Sequence, residues 1–278
     1  MHDSTKGKVV IISGGGRGLG RAMALGLVEA GAKVTITASR EGAELEKTAS
    51  DARKIGGGDC ILALKADVTS AEDCERVMRE TLAKFGVING LVNNAGRGMS
   101  YVSKNFVKER PDFWSIEPET WRMMIDTNVN GIFLMTRAAV PHLLDSGWGR
   151  IVNISTSLRT MQRKGFLPYG VSKWACEGQT VIMAQELEDT GVTVNVQIPG
   201  GATDTAFIPG KVGDKSRTGA DGHLLEPEVM VPPILYLMSD LSNGRTGDRY
   251  VSRLWDTSLP PEEAAGKARF PVFRDREF

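Results

Sequence analysis

Short apolar runs alternate with longer amphipathic stretches along most of this chain, on a spacing of roughly thirty residues. Lys8-Val9-Val10-Ile11-Ile12 is the first run. Arg21 to Ala30 follows with Ala22, Leu25, Leu27 and Val28 at helical spacing, and Gly31 closes it. The cycle repeats with a strand at Ala32 to Ala38, a polar helix at Glu41 to Ile55, and a strand from Cys60 to Leu64 running on to Ala66-Asp67-Val68. Thr69 and Glu72 form a capping-box pattern for a helix ending near Gly86, and Ile88 to Val92 is a fourth strand. Thr120 to Leu144 reads as one long helix broken or ended near Pro141, then come a strand at Arg150 to Ile154 and a helix at Pro168 to Asp189. Val192 to Ile198, a helix at Glu228 to Ser239 and a last strand at Gly247 to Ser252 complete the pattern. Alternation of this kind predicts an α/β fold, a single Rossmann-like doubly wound parallel sheet with helices on both faces. Residues 1–252 form the expected domain and 253–278 a C-terminal extension that packs on a neighbour or stays disordered.

Right-handed crossovers place the loop after each strand on one common edge, where ligands bind in such sheets. The loop after the first strand is Ser13-Gly14-Gly15-Gly16-Arg17-Gly18-Leu19-Gly20. A glycine-rich turn leading into a helix lets backbone approach a pyrophosphate, and the helix N-terminus supplies free N–H groups. Its spacing is Gly14-x-x-x-Gly18-x-Gly20 rather than G-x-G-x-x-G. The second strand ends at Ser39-Arg40 without a carboxylate, and Arg17 stands in the glycine loop. Two guanidiniums and a hydroxyl suit a 2′-phosphate, so NADP(H) is preferred and NAD(H) is the alternative. Asp67, Val68, Asn94, Ala95 and Gly96 fall at other strand ends on the same edge.

In the helix after the fifth strand, Tyr169 and Lys173 stand four residues apart, hence one above the other. A free phenol titrates near ~10, and an ammonium one turn away favours its ionised form. Alone, that pair is equally a solvated helix face. The fifth strand ends in Ser155-Thr156-Ser157, and Arg159, Arg163 and Lys164 form a basic stretch before Tyr169. A substrate carboxylate or phosphate would explain those cations, and so would plain solvation.

Composition narrows the function classes. The 278 residues carry 34 basic and 34 acidic side chains, a formal charge of zero that lacks the electrostatic footprint of a nucleic-acid binder. Cys60, Cys74 and Cys176 are scattered, without metal-ligand spacing, so no metal site is expected. No apolar run approaches membrane-spanning length and the first residues lack an apolar leader, which makes a cytoplasmic location the expectation.

The glycine loop, Asn93-Asn94-Ala95-Gly96, Asn128 in Asn128-Val129-Asn130-Gly131, Ile151-Val152-Asn153-Ile154-Ser155, Tyr169-x-x-x-Lys173 and Pro199-Gly200 occur in one order. Together they resemble the short-chain dehydrogenase/reductase family over residues 6 to 252, and in that family Gly-x-x-x-Gly-x-Gly is the normal cofactor loop. The resemblance implies an NAD(P)-dependent oxidoreductase that interconverts a ketone and a secondary alcohol. It assigns Tyr169 as proton donor and acceptor, Lys173 as the group that lowers its pKa and bonds ribose, and Asn128 as the anchor of a proton-relay water. The family's commonest spacing puts the hydroxyl that bonds the carbonyl at Thr156, with Ser157 the competitor. Strand alternation agrees, because Ser155 should face away from Thr156. Pro199 and Gly200 follow the sixth strand, and one extra residue there leaves Thr203 and Thr205 as alternatives for the cofactor contact. Residues 97–119 form a longer connection than usual, a substrate flap holding Tyr101, Phe106, Phe113 and Trp114. Residues 206–225 match the family's mobile lid. The resemblance further implies a homodimer or homotetramer built on the helices carrying Asn128 and Tyr169. The partner is a small carbonyl or alcohol, anionic if the basic stretch meets it. A 3-oxoacyl-thioester reductase is the main alternative, and a non-catalytic cofactor-binding regulator the remote one.

Overall fold

Parallel strands whose side chains are buried on both faces build the centre of the molecule. The computed structural model describes residues 5–40, 42–219 and 222–272. Glu41 and the end of the extension, 273–278, therefore lie outside the described residues, as do two positions of the expected lid, 220 and 221. The elements run β1 (Val9–Ser13), α1 (Gly18–Glu29), β2 (Lys33–Ala38), α2 (Gly42–Gly56), β3 (Ile61–Lys65), α3 (Ala71–Phe85) and β4 (Gly90–Asn93). Then come α4 (Pro118–Ile125), α5 (Gly131–Asp145), β5 (Gly149–Ile154), the short α6 (Leu158–Met161), α7 (Leu167–Glu186) and β6 (Val192–Ile198). A two-stranded ribbon, β7 (Thr218–Gly219) with β8 (Gly222–His223), precedes α8 (Val231–Leu237), β9 (Asp248–Val251), α9 (Pro261–Ala268) and β10 (Arg269–Pro271).

The main sheet has the order β10-β9-β6-β5-β4-β1-β2-β3. Strand β1 pairs in parallel with both β2 and β4 (Ile12 opposite Ile36 and Val92), so the winding reverses between β1 and β4. A crevice opens at the carboxyl ends of strands at such a point. Alternation along β1 divides the core. Val10 and Ile12 join the cluster under α1, α2, α8 and α9, whereas Ile11 joins Leu91, Ile151 and Val194 under α3, α5 and α7. All three cysteines are buried and unpaired, and burial pushes the Cys74 thiol up to about 12. Among the described residues no helix is long and apolar enough to cross a membrane.

The fold departs from the sequence pattern in five places. The sheet is not wholly parallel, because β10 runs antiparallel to β9 with Phe270 opposite Arg249. Far from leaving the domain, the extension folds back through 272, and α9 buries Ala264, Ala265 and Ala268 against its own core. The cap of α3 is Ser70, whose hydroxyl accepts from the Asp73 N–H at 3.2 Å. Thr69 is taken by Asp67, whose Oδ1 accepts from both its N–H and its hydroxyl. The long helix is interrupted by a π turn at Asp126–Asn130 and then runs through Pro141. Burial of Ala139 and Leu143 on either side holds that segment despite the one backbone donor Pro141 lacks. Finally, α8 begins only at Val231, with Pro232 and Pro233 in its first turn, where their missing N–H groups cost least.

Candidate active site

Ser13 ties the two strands at the crevice. Its Oγ accepts from the backbone N–H groups of Asn94 and Ala95, both at 3.1 Å, while Asn94 Nδ2 donates to the carbonyls of Ser13 and Gly14 at 3.0 and 2.9 Å. The glycine loop then passes so close that a Cβ on Gly20 would lie inside van der Waals contact of the Gly14 carbonyl. Only glycine fits there. Ser13 and Gly20 thus shape the crevice from behind, whereas Gly14, Gly16, Arg17, Gly18 and Leu19 line it.

The crevice is a groove of about 600 Å³. Ser39, Arg40, Asp67 and Val68 line one end; Asn94, Ala95 and Gly96 lie along its floor, and Pro199, Gly200, Thr203 and Thr205 come from the loop after β6. Thr205 lies against Gly18, and Thr203 bridges to Leu225. Arg40 is exposed; Arg17 is half-exposed, 3.5 Å from Glu44.

At the other end β5 and α7 bring Thr156, Ser157, Tyr169 and Lys173 into the same groove. The three consecutive hydroxyls are separated by their partners. Ser155 is buried and donates to Glu177 Oε1 at 2.7 Å. Ser157 caps α6, accepting from the Thr160 N–H at 3.2 Å. Thr156 is the hydroxyl that interacts with the Tyr169 phenol.

Electrostatics here differ from the expectation for the pair. Burial pushes the Tyr169 phenol above its ordinary value, and the interaction with Thr156 only opposes that rise. Lys173 Nζ donates to the Ile154 carbonyl at 2.8 Å and stands 5.9 Å from the Tyr169 ring centre, and burial pushes its own pKa down. In this arrangement desolvation governs both groups. Asn128 lies behind the groove wall, fully buried, and does not line it. The π turn aims its side chain inward, where Oδ1 accepts from Arg97 N at 2.7 Å and Nδ2 donates to Arg97 O and to Ser172 Oγ. Ser172 Oγ in turn donates to the Tyr169 carbonyl at 2.8 Å.

Residues of 97–119 and of the segment after β6 line this end of the groove in ways the sequence did not specify. Met99, Phe106 and Phe166 cluster with Tyr169, while Phe113 and Trp114 are 63 % and 73 % exposed and meet edge to face. Phe207 packs on Tyr169 with ring centres 5.4 Å apart. The segment 204–217, which overlaps the expected lid, is wound around Arg217, which pairs with Asp204 and donates to the carbonyls of Thr205, Ile208, Pro209 and Lys211. Both members of that pair are buried. The signal for it was only a charged residue at each end of a glycine-rich stretch. Of the basic stretch, Arg163 lines the groove, and Arg159 and Lys164 are exposed outside it; Arg97 and Arg110 of the flap also line it.

Known proteins share both the sequence and the fold. The profile of the short chain dehydrogenases matches residues 8–212. A short-chain type dehydrogenase/reductase of Picea abies is 33 % identical over 242 residues, covering 84 % of this chain and 86 % of the relative. A 3-oxoacyl-[acyl-carrier-protein] reductase of Synechocystis sp. is 34 % identical, over 69 % of this chain and 73 % of its own. The crystal structure of a 3-ketoacyl-(acyl-carrier-protein) reductase from Brucella melitensis, complexed with NADH, superposes with a TM-score of 0.75 at 28 % identity, covering 87 % and 95 % of the two chains. With its strand order, its glycine-lined crevice and Tyr169 and Lys173 in one groove, this chain belongs to the short-chain dehydrogenase/reductase family of oxidoreductases acting on CH–OH and carbonyl groups.

Proposed function

We propose that the protein interconverts a ketone and a secondary alcohol, with NADP(H) as the preferred cofactor and NAD(H) the weaker one. The observation that carries this is the meeting of Thr156, Tyr169 and Lys173 in the groove that the glycine loop opens into. The groove fits a dinucleotide: Gly14, Gly16 and Gly18 line it, and a side chain on Gly20 behind them would collide with the Gly14 carbonyl and distort the loop. Gly14, Gly16, Gly18 and Leu19 would hold the pyrophosphate, Asp67 and Val68 the adenine end, and Asn94 to Gly96 with Pro199, Gly200, Thr203 and Thr205 the nicotinamide half. Ser39, Arg40 and Arg17 would meet a 2′-phosphate by charge-assisted bonds.

When bound, the nicotinamide supplies or accepts the hydride. Thr156 donates a hydrogen bond to the substrate oxygen, and Tyr169 gives that oxygen its proton in reduction and takes it back in oxidation. Burial keeps the Tyr169 phenol in its protonated form, with its hydroxyl hydrogen available to the substrate oxygen. Lys173, held by Ile154, keeps a cation beside the phenol and within reach of a ribose. Asn128 acts through Ser172, fixing the turn of α7 that carries Tyr169.

Tyr169→Phe tests the reading. It should keep NADPH binding and lose at least about a hundredfold in turnover, within the range for a positioned acid; near-parental turnover would sink the mechanism. Reduction of acyl thioesters is the second reading, supported by the reductase names of the Synechocystis and Brucella relatives, and acetoacetyl thioesters assayed beside simple ketones separate the two. Association into dimers or tetramers is supported by exposed Phe133 on α5 and Val171 and Ile182 on α7, and light scattering checks it.

A further inference from the structure

Two cations at the mouth of the groove have no assigned task. Arg110 comes from the flap and Arg163 from the turn before α7, and both line the groove. Gly165 brings them together. This residue has φ +81°, and a Cβ there would stand 2.7 Å from Arg110 Cβ, so the flap lies directly on the 163–166 turn. That turn is closed by the Phe166 N–H donating to the Arg163 carbonyl at 3.1 Å. Neither guanidinium forms an ion pair among the described residues, although Glu109 and Asp112 flank Arg110 in sequence. Some surface arginines elsewhere are matched, as in Arg21 with Asp51 and Arg76 with Asp73. Arg97, the third guanidinium of this end, is already committed: Nε donates to Thr127 Oγ1 at 2.9 Å and its head lies over Tyr101.

An apolar path runs from this pair to the chemistry. The Arg163 head stands 5.4 Å from the Phe166 ring centre, Phe166 packs edge-on against Phe106 at 5.7 Å, and both belong to the buried cluster that contains Tyr169. We propose that the substrate carries a carboxylate or phosphate held by Arg110 and Arg163, with an apolar body spanning Phe106 and Phe166 between that anion and the reacting oxygen. This rests on the carbonyl-reductase reading of the site. Guanidiniums suit either anion, through paired N–H donors.

Two measurements test it. In the first, reduction of benzoylpropionate is compared with that of its methyl ester, in the parent, in the Arg110→Gln/Arg163→Gln double variant and in Arg163→Lys. The acid should exceed the ester in kcat/KM by tenfold or more in the parent and by threefold or less in the double variant. Arg163→Lys should keep an intermediate ratio, since the charge remains and the paired geometry is lost. Equal use of acid and ester by the parent, or a ratio unchanged in the double variant, would overturn the proposal.

The second is calorimetric and needs no turnover: a chain-length series of phenylalkanoates from phenylacetate to phenylbutyrate, with the matching amides and phosphate esters, is titrated into the NADPH-loaded protein and its Tyr169→Phe variant. Tighter binding of an anion than of its amide, lost in the double variant and kept in Tyr169→Phe, supports the proposal even where no ketone is reduced, an outcome that would count against the catalytic reading alone. An absence of anion preference at every chain length overturns it. The relative affinity of carboxylate and phosphate decides between those two sources.

Discussion

The two ends of the groove are built on different principles. The cofactor end is made by backbone: strand carboxyl ends, a loop that only glycine can form at residue 20, and Asn94 clasping the first loop to the fourth strand. The substrate end is made by side chains on loops: Phe106 on Phe166, Phe207 on Tyr169, and a lid threaded onto one buried arginine. Backbone surfaces admit one ligand shape and tolerate almost no change, whereas side-chain surfaces can be rebuilt residue by residue. One scaffold therefore keeps a fixed nucleotide end beside a variable substrate end.

The largest effect expected from breaking that contrast is at Gly20. Gly20→Ala must displace both the Gly14 carbonyl and the Asn94 amide, and NADPH affinity should fall by on the order of a hundredfold, about 2.7 kcal/mol. Fluorescence titration measures it, and a loss below about threefold would show that the loop can yield. Next comes Arg217→Met, which strands buried Asp204 and four carbonyls. Removing one partner of a buried pair is strongly destabilising, so proteolysis should cut the lid before the rest of the protein. Substrate KM should rise by roughly tenfold or more. Because Thr205 O accepts from Arg217, cofactor affinity should weaken too, but less; an equal loss would mean the two ends are one unit.

Arg40→Ala should weaken NADPH by about tenfold, in line with one charge-assisted contact, and leave NADH nearly unaffected. Equal losses for both would remove the phosphate assignment. The smallest effect is at Asp73, whose carboxylate accepts from Asp67 N at 2.8 Å and from Arg76, contacts that hold its pKa below the usual range. A lowered folded-state pKa contributes stability above the unfolded value and loses it as pH falls through the folded one. The parent should therefore lose its advantage over Asp73→Asn on acidification below about pH 4, by well under about 1 kcal/mol because the pair is solvated. Thermal melts across that window check the sign.

What could be read from the sequence follows the same division. Strand–loop–helix order, the glycine loop and the Tyr169–Lys173 spacing are local in the chain, and each was legible before any coordinates. The hydroxyl was ambiguous because Thr156 and Ser157 are both plausible donors, and spacing alone does not show that Ser157 also caps α6 while Thr156 meets the Tyr169 phenol. Asn128 was legible as a residue but not in its orientation, since the π turn that swings it onto Arg97 and Ser172 has no periodicity signal of its own. The expected dominance of Lys173 over the phenol depended on burial, which spacing does not encode. The glycines of residues 206–225 are visible in the sequence, whereas the Asp204–Arg217 pairing, a tertiary contact, is not.

The antiparallel closing strand has a consequence for the whole molecule's behaviour in solution. Without β10, the unpaired backbone of β9 would form one rim of the sheet, a ready template for a strand from another chain. The present rim is three residues long and ends in Pro271, which has no N–H to offer. Cutting the chain after Ala268, which removes β10 and keeps α9 on the core, would thus change colloidal behaviour more than chemistry, leaving an adhesive margin at the β9 edge of the sheet.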